Sequence, residues 1–191
     1  DALVKEGKVR YIGTSNDSAY GLTKANEISK YKGYARFESI QNNFSLLNPR
    51  FHDELANVCR LENISLLPYS PMAGGVLSGK YCGGFYPEGS RFATYLKESN
   101  KRVQAMAHRF VNERTLEATK KYLELSKEYE VSPVTLAISY SKHFDFVAST
   151  IVGARKIEQL DDSFKAFDFK ISSELLKKIE IIQKNILYPM G

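Results

Sequence analysis

The sequence predicts an α/β fold that forms half of a (β/α)8 barrel. Short β-type runs alternate with helical patterns, an order that is typical of parallel strands joined by helices. Each run finishes in polar or small residues: Ser15-Asn16, Gln41-Asn42-Asn43, Tyr69-Ser70-Pro71 and Gly153-Ala154-Arg155. Parallel strands place their carboxyl ends on one face, and in barrels and doubly wound sheets that face holds the ligand. These residues are therefore expected to line one site.

The individual elements follow from the spacing of apolar residues. Residues 1–7 resemble the end of a helix closed by a C-cap glycine, Gly7, so the sequence begins as if in the middle of a fold. The expected strands are 8–14, 35–42, 64–69 and 146–152. The expected helices are about 18–30, 51–62, 112–130, 132–143, 157–167 and 173–187. A closed barrel needs eight β-α units and about 250 residues, and four units alone would leave two open sheet edges, so half of a larger barrel is expected.

The segment from about 72 to 111 breaks this alternation. It is rich in glycine and mixes charged with aromatic residues, which predicts a long functional loop. Within it, residues 74–80 nearly match the P-loop pattern, but Tyr81 replaces the Mg²⁺-binding Ser or Thr. ATP or GTP hydrolysis is therefore disfavoured. A cradle of glycine amides and Lys80 for another phosphate stays open, since glycine lets backbone amides approach an anion closely.

Composition excludes several classes of function. The 191 residues are 43% hydrophobic and carry a formal charge of +5, which fits one globular domain over 1–191. No apolar run reaches membrane-spanning length, and the first residues do not resemble a signal peptide. Cys59 and Cys82 lack metal-ligand spacing, so we expect no metal and a cytoplasmic location. Lysine and arginine are scattered along helices, which favours solvated surfaces over nucleic-acid binding.

Few residues carry a catalytic pattern of their own. Arg155 follows a strand at the start of a helix, where backbone amides and its guanidinium suit an anion, although a surface arginine is the simpler interpretation. His52, His108 and His143 lack partner patterns and are expected to be structural or exposed. No G-x-G-x-x-G motif follows a strand, so a Rossmann dinucleotide site is unsupported.

Four motifs together resemble the aldo-keto reductases. The segments 8–16, 39–47, 67–81 and 151–160 resemble, in order, the fifth to eighth strands of that family and the loops that follow them. They occur at family spacing across nearly the whole chain. The segment 72–111 and the ending Leu187-Tyr188-Pro189 look most like the Tas-type branch, which is related to potassium-channel β-subunits.

This resemblance implies the C-terminal half of an NADPH-dependent (β/α)8 barrel that reduces aldehydes and ketones to alcohols. By position, Ser15, Asn16 and Gln41 would hold the nicotinamide carboxamide, and Tyr69 would stack on the nicotinamide ring. The pyrophosphate path would be lined by Ser70, Pro71, Met72, Gly74 and Lys80, with Arg91 closing over it from the 72–111 loop. Gly153 and Arg155 would meet the adenosine 2′-phosphate, while Gln159 and Asp162 would contact the adenosine.

The family's catalytic Asp, Tyr, Lys and His lie on its first four strands, which this sequence does not contain. We therefore assign no catalytic residue and expect this chain alone to be inactive. Three interpretations stay open: half of a reductase whose N-terminal half comes from the same protein or a second chain, a cofactor-sensing regulatory subunit, or a non-enzymatic half-barrel. The expected partners are a small-molecule carbonyl substrate and the N-terminal half, without nucleic acid or membrane.

Overall fold

A computed structural model describes residues 1–190, and Gly191, the last residue of the predicted domain, lies outside the described residues. The sheet contains three parallel strands in the order β1-β2-β3. They are β1 (Ile12–Ser15), β2 (Phe37–Asn43) and β3 (Ser65–Tyr69). Within the part of the chain that is described, helices precede, connect and follow these strands. The α/β class expected from the sequence is confirmed.

The helices are α1 (Ala2–Lys5), α2 (Ala19–Lys32), α3 (Leu55–Glu62), α4 (Arg91–Lys97), α5 (Lys101–Phe110), α6 (Glu113–Glu128), α7 (Pro133–Lys142), α8 (Glu158–Asp168) and α9 (Ser173–Asn185), with 3-10 segments at Arg50–His52 and Ala73–Ser78. Several begin where a serine hydroxyl accepts a backbone N–H, as Ser18, Ser132 and Ser172 do. Gly7, with φ of 71°, ends α1 as expected. Of the described helices, none is long and apolar enough to cross a membrane.

The two faces of the sheet have different chemistry because side chains alternate along each strand. Ile40 and Leu66 are paired neighbours and are fully buried under the helices. The opposite face is more polar: the exposed Gln41 is paired with the exposed Ser15 on one side and with the half-buried Leu67 on the other. The polar strand ends are therefore displayed by a sheet that is fixed from behind by a packed core.

An aromatic cluster fills the core next to β2. Phe44 follows β2 directly, is fully buried, and stacks on Tyr140 with ring centroids 5.5 Å apart. Phe51 and Phe146 stack on each other at 5.4 Å, and the His52 ring meets Phe144 edge-on at 4.4 Å. This cluster ties β2 to the 3-10 segment and to the end of α7, so the loop after β2 is held in place by burial.

The predicted strand 146–152 is wrong as a regular strand. A single parallel bridge joins Val147 to Leu66, and Ile151 N–H donates to Pro68 O at 2.8 Å. Among the described residues no strand lies on the outer side of this segment, so one row of its backbone groups lacks a ladder partner. Its backbone bonds to β3 involve Phe146, Ala148 and Ile151, so the two-residue spacing of a regular parallel ladder is lost after Ala148.

The predicted irregular loop over 72–111 is also corrected, because α4 and α5 lie within it. Ser90 caps α4 by accepting from Ala93 N–H, and Asn100 caps α5 by accepting from Arg102 N–H. Phe92 is buried and packs between Tyr81 at 5.5 Å and Phe110 at 5.2 Å. The aromatic residues of this segment thus pack against one another and hold it in an ordered, partly helical form.

Candidate functional site

The carboxyl ends of β1, β2 and β3 are joined by side-chain hydrogen bonds. Ser15 Oγ donates to Gln41 O at 2.9 Å, and Asn16 Nδ2 donates to Ser15 Oγ at 2.9 Å. Tyr69 OH donates to Asn16 Oδ1 at 2.8 Å, and Asn16 N–H donates to Asn42 Oδ1 at 2.8 Å. The structure therefore brings together the residues predicted for the nicotinamide end, and Asn16 connects all three strands.

Two residues of this group have left-handed backbone conformations. Asn16 has φ of 55°, and Ser70, which follows Tyr69, also has φ of 55°. Asparagine tolerates this region better than most residues, whereas serine rarely adopts it. Such conformations persist only where the surrounding contacts fix them and are frequent at functional sites.

A cavity of about 790 Å³ opens beside these strand ends. Four residues predicted for the site line it: Asn16, Tyr69, Ser70 and Arg91. Its other lining residues are Asn42, Asn43, Asn48, Arg50, Phe51, Leu55, Phe92, Tyr95, Met106, Arg109 and Phe110. Among the described residues the lining combines amides, aromatic rings and arginines and includes no Asp or Glu, a surface that suits an anionic molecule with a ring.

The residues predicted for the pyrophosphate path lie in the turn after β3. Pro71 is buried, Met72 packs partly against the core, and Lys80 is exposed. Gly74 has φ of 66°, and a Cβ there would lie 2.5 Å from Cζ of Phe92. Glycine at this position is therefore required by the packing of Phe92, independently of any cofactor.

Two observations fit a dinucleotide at this edge of the sheet. Asn43 Oδ1 is buried and has no hydrogen-bond partner among the described residues, so it offers an acceptor beside the cavity. A Cβ at Gly75, which has φ of 95°, would lie 2.8 Å from Lys80 Nζ, so the absence of a side chain there leaves room for the ammonium group beside the backbone. An unpaired acceptor suits a carboxamide NH₂, and a lysine beside a glycine turn suits a phosphate.

The residues predicted for the adenosine end form a second group at the start of α8. Gln159 Oε1 accepts the backbone N–H of Arg155 at 2.9 Å, and Arg155 Nη1 donates to Gly89 O at 2.6 Å. Arg155 thereby connects this group to the turn that precedes Ser90 and α4. The carboxylate of Asp162 forms an ion pair with Lys165 at 2.9 Å, and this hydrogen bond lowers the pKa of Asp162.

The two groups are not part of one lined cavity. Gly153, Arg155, Gln159 and Asp162 do not line the 790 Å³ cavity, and neither do Ser15 and Gln41, which lie at its edge through their bonds to Asn16 and to each other. Gly153 is exposed, and a Cβ there would meet nothing within 4 Å. The contact between Arg155 and Gly89 is the link between the groups.

Other reactive side chains do not serve this site. Cys59 is buried, and burial raises the pKa of its thiol to about 11, which disfavours the nucleophilic thiolate. His52 lies in the aromatic cluster, while His108 and His143 are exposed, and none of the three lines the cavity. Within residues 1–190, no group of three or more His, Cys, Asp or Glu is arranged to hold a metal ion.

Sequence reasoning missed most of the cavity wall. Asn42 and Asn43 were visible as polar residues at the end of a strand, and Arg50 follows the Asn48-Pro49 turn. Met106, Arg109 and Phe110 lie on α5, which local sequence did not reveal as a helix. No local signal connects α5 to β2, so this part of the wall depends on tertiary packing.

Comparison with known proteins adds independent support. The profile of the Aldo/keto reductase family matches residues 1–184. The Tas protein of Escherichia coli strain K12 is 32% identical over 192 residues, which cover 99% of this chain and 53% of that protein.

Two relatives from Schizosaccharomyces pombe are also similar. A putative voltage-gated potassium channel subunit beta is 30% identical, covering 94% of this chain and 52% of the relative. A putative aryl-alcohol dehydrogenase is 31% identical, covering 93% and 47%. The chain thus spans about half the length of the curated relatives it matches. These similarities confirm the resemblance drawn from the four strand-end motifs, including its Tas-type branch.

Proposed function

The chain belongs to the aldo/keto reductase family, and we propose that it forms the NADPH-binding half of an enzyme that reduces aldehydes and ketones to alcohols. The hydrogen-bonded group of Ser15, Asn16 and Tyr69 beside the cavity carries this proposal. Its amide and hydroxyl groups match a carboxamide, and its tyrosine offers a ring for stacking.

We further propose that the sheet is the C-terminal half of a (β/α)8 barrel. In this arrangement β1, β2, β3 and the segment 146–152 are strands five to eight. The parallel order of the three strands and the bridge from Val147 to Leu66 support it. An N-terminal half, from the same protein or from a second chain, would pair with the outer backbone edges of β1 and of 146–152.

The cofactor residues divide into three positions. Ser15, Asn16 and Gln41 would hold the carboxamide, and Tyr69 would support the ring face. Ser70, Pro71, Met72, Gly74, Lys80 and Arg91 would surround the pyrophosphate. Gly153, Arg155, Gln159 and Asp162 would take the adenosine end, where the guanidinium favours a 2′-phosphate. Of these, Asp162 has the weakest support because its carboxylate is paired with Lys165.

Bound NADPH supplies the hydride for carbonyl reduction. The chain's own contribution is to orient the ring and to exclude water. Tyr69 is held by its hydrogen bond to Asn16, which fixes the direction of its ring, and Phe92 and Phe110 form an apolar wall of the cavity. The proton donor would come from the N-terminal half, so we propose that the chain alone does not turn over substrate.

One alternative has a specific observation in its favour. The similarity to a putative channel β-subunit fits a protein that binds the cofactor and regulates a partner. Binding of NADPH without carbonyl reduction in the complete protein would favour this regulatory role. A non-enzymatic half-barrel, in contrast, would dimerise through its open edges, so its native mass would rise with concentration. A cytoplasmic location is part of the proposal and rests on the two unpaired cysteines.

Cofactor binding tests the proposal directly. NADPH and NADH are titrated against the purified chain by nicotinamide fluorescence, with Arg155→Ala and, as a matched exposed control, Arg102→Ala. Loss of the charge-assisted bonds to the 2′-phosphate should weaken NADPH binding about tenfold or more and change NADH binding little. Equal weakening of both cofactors would contradict the 2′-phosphate role, and absence of binding by the wild type would contradict the cofactor function.

The proposed barrel is tested by mass. Native and denaturing mass spectrometry of the purified protein should reveal a second species of roughly 20 kDa if a separate chain completes the barrel, since this 21.6 kDa chain spans about half the length of its relatives. That complex should oxidise NADPH when a carbonyl compound is added. A lone 21.6 kDa chain that does not oxidise NADPH would favour the half-barrel without catalysis.

A further inference from the structure

The cavity is lined by more positive charge than a dinucleotide pyrophosphate accounts for. Arg91, on α4, is the arginine assigned to the cofactor, and Arg50 and Arg109 line the same cavity from the loop after β2 and from α5. Within residues 1–190, no Asp or Glu lines it. Among the described residues neither Arg50 nor Arg109 takes part in an ion pair. Two arginines thus line the cavity without forming an ion pair among the described residues.

The C-terminal tail holds both guanidinium groups in place without neutralising them. The guanidinium of Arg50 lies 4.5 Å from the ring centroid of Tyr188, a cation–π contact that leaves its N–H edge open. Tyr188 OH donates to Asp53 Oδ2 at 3.0 Å, which occupies one oxygen of this nearby carboxylate. Arg109 Nε donates to Met190 O at 3.1 Å, and within residues 1–190 its two terminal nitrogens have no hydrogen-bond partner.

The tail is itself firmly anchored. Asn112 Nδ2 donates to Pro189 O at 3.3 Å, and Arg114 Nη2 donates to Leu187 O at 2.7 Å. Met190 is buried, and Tyr188 has the left-handed φ of 46° that a bulky residue rarely adopts. A strained residue fixed from both sides orients the ring beneath Arg50, as expected where a charged side chain is pre-organised for a ligand.

Apolar residues near these arginines in the chain also line the cavity. Phe51 and Leu55 follow Arg50, and Met106 and Phe110 lie on α5 with Arg109. Pockets that combine apolar residues with fixed polar groups bind molecules that have a ring or alkyl body and one oriented polar end. The charged end of such a molecule must be an anion here.

We propose that Arg50 and Arg109 bind the carboxylate of the substrate, so that the substrate class is a carbonyl compound with an aromatic or apolar body and an acid group. That the substrate has a carbonyl group rests on the proposed reductase function. That it has an acid group rests on the two arginines alone. A carboxylate accepts two parallel N–H bonds from a guanidinium, which gives both strength and orientation.

The test uses unreactive probes, so it does not depend on turnover. Benzoate and its neutral analogue benzamide are titrated into the purified chain at low ionic strength and followed by NMR. The wild type should bind benzoate at least tenfold more tightly than benzamide. Arg50→Gln and Arg109→Gln should each weaken benzoate binding about tenfold and leave benzamide binding unchanged, since each removes hydrogen bonds to a charged group. Arg102→Gln, on α5 but outside the cavity, is the matched control and should change neither affinity.

Several outcomes would overturn the proposal. Equal affinity for benzoate and benzamide would exclude an anion subsite, and an equal effect of Arg102→Gln would reduce it to general surface charge. A parallel NADPH titration separates the two anions. If Arg50→Gln and Arg109→Gln weaken the binding of NADPH and not that of benzoate, the two arginines bind the cofactor phosphate and the substrate assignment is wrong. If the wild type binds no NADPH but retains arginine-dependent benzoate binding, the cofactor function fails and the carboxylate subsite stands.

Discussion

The strand-end group and the start of α8 are both proposed to hold the same cofactor, but they are built differently. Ser15, Asn16 and Tyr69 are linked to one another and stand at the ends of a sheet in which Ile40 and Leu66 are fully buried. Every residue from 151 to 159 is exposed, and the described contacts of Arg155 are those with Gln159 and Gly89. Burial and hydrogen bonding pre-organise the nicotinamide end, whereas the adenosine end has little packing to hold its shape.

This difference implies different sensitivity to substitution. Changes at the strand ends act through the core and should alter stability, because the site and the core share the same elements. Changes near α8 should alter ligand binding and leave the fold intact. Each substitution below is paired with a matched one in the other region, or with an exposed control, and the pairs run from the largest expected effect to the smallest.

Phe44→Ala should produce the largest loss of stability. Phe44 is fully buried and contacts the rings of Phe51, Tyr140 and Phe146, so truncation leaves a cavity beneath the strand ends. The expected cost is about 3–5 kcal/mol in the free energy of unfolding. The counterpart is Phe164→Ala on α8, whose ring is 59% exposed and which should change stability by less than about 0.5 kcal/mol. Urea denaturation measures both, and similar losses would show that α8 belongs to the same packed core.

Two glycines provide the second pair. Gly74→Ala places a Cβ 2.5 Å from Phe92 at a φ of 66°, and the neighbouring rings of Tyr81 and Phe110 limit how far Phe92 can move. A loss of about 2–4 kcal/mol is expected from the strained backbone and the overpacking. Gly153→Ala meets nothing within 4 Å and should be neutral or stabilising by up to about 1 kcal/mol, since it restricts the unfolded chain. Thermal unfolding without cofactor distinguishes them, and a destabilised Gly153→Ala would reveal packing around this segment.

Tyr69→Phe removes one hydrogen bond from the strand-end group. The lost partner is Asn16 Oδ1, at 2.8 Å, so the free energy of unfolding should fall by about 1 kcal/mol. Tyr20→Phe, at a tyrosine that is 77% exposed, should change it little and serves as the control. If Tyr69→Phe is as neutral as its control, Asn16 does not depend on Tyr69, and the strand ends are less pre-organised than their geometry indicates.

Sequence reasoning reached the strand-end group more fully than the rest of the site. Alternating apolar residues, serine caps and polar strand ends are local signals, and they predicted β1 to β3 and most helices to within a few residues. The prediction of a strand over 146–152 was wrong because its hydrogen bonds to β3 lose their regular spacing after Ala148, a tertiary feature that no local pattern shows. The helices α4 and α5 were not predicted because glycines at 74, 75, 79, 83, 84 and 89 dominate the local pattern. The segment is ordered by Phe92, which packs against the rings of Tyr81 and Phe110. Arg50 and Arg109 could not be predicted as site residues, because their positions depend on contacts with Tyr188 and Met190, which are distant in the sequence.

The smallest effect concerns pH and the aromatic cluster beneath β2. Burial lowers the pKa of His52 below 6.5, and Arg60 lowers it further, against the opposing charges of Asp53, Glu180 and Asp145. The unfolded chain therefore binds a proton at His52 before the folded chain does. Stability should fall as pH decreases through 6.5 and should stop changing on this account once pH is below the folded pKa of His52.

The variant His52→Asn removes this titration, and His143→Asn, at an exposed histidine, is its control. Between pH 7.5 and pH 5.5 the melting temperature of the wild type and of His143→Asn should decrease more than that of His52→Asn. The same decrease in all three proteins would show that protonated His52 is tolerated among the rings of Phe44, Phe144 and Phe146. The cluster would then be open enough to hydrate a charge, and the strand ends above it would lack the rigid base that distinguishes them from the start of α8.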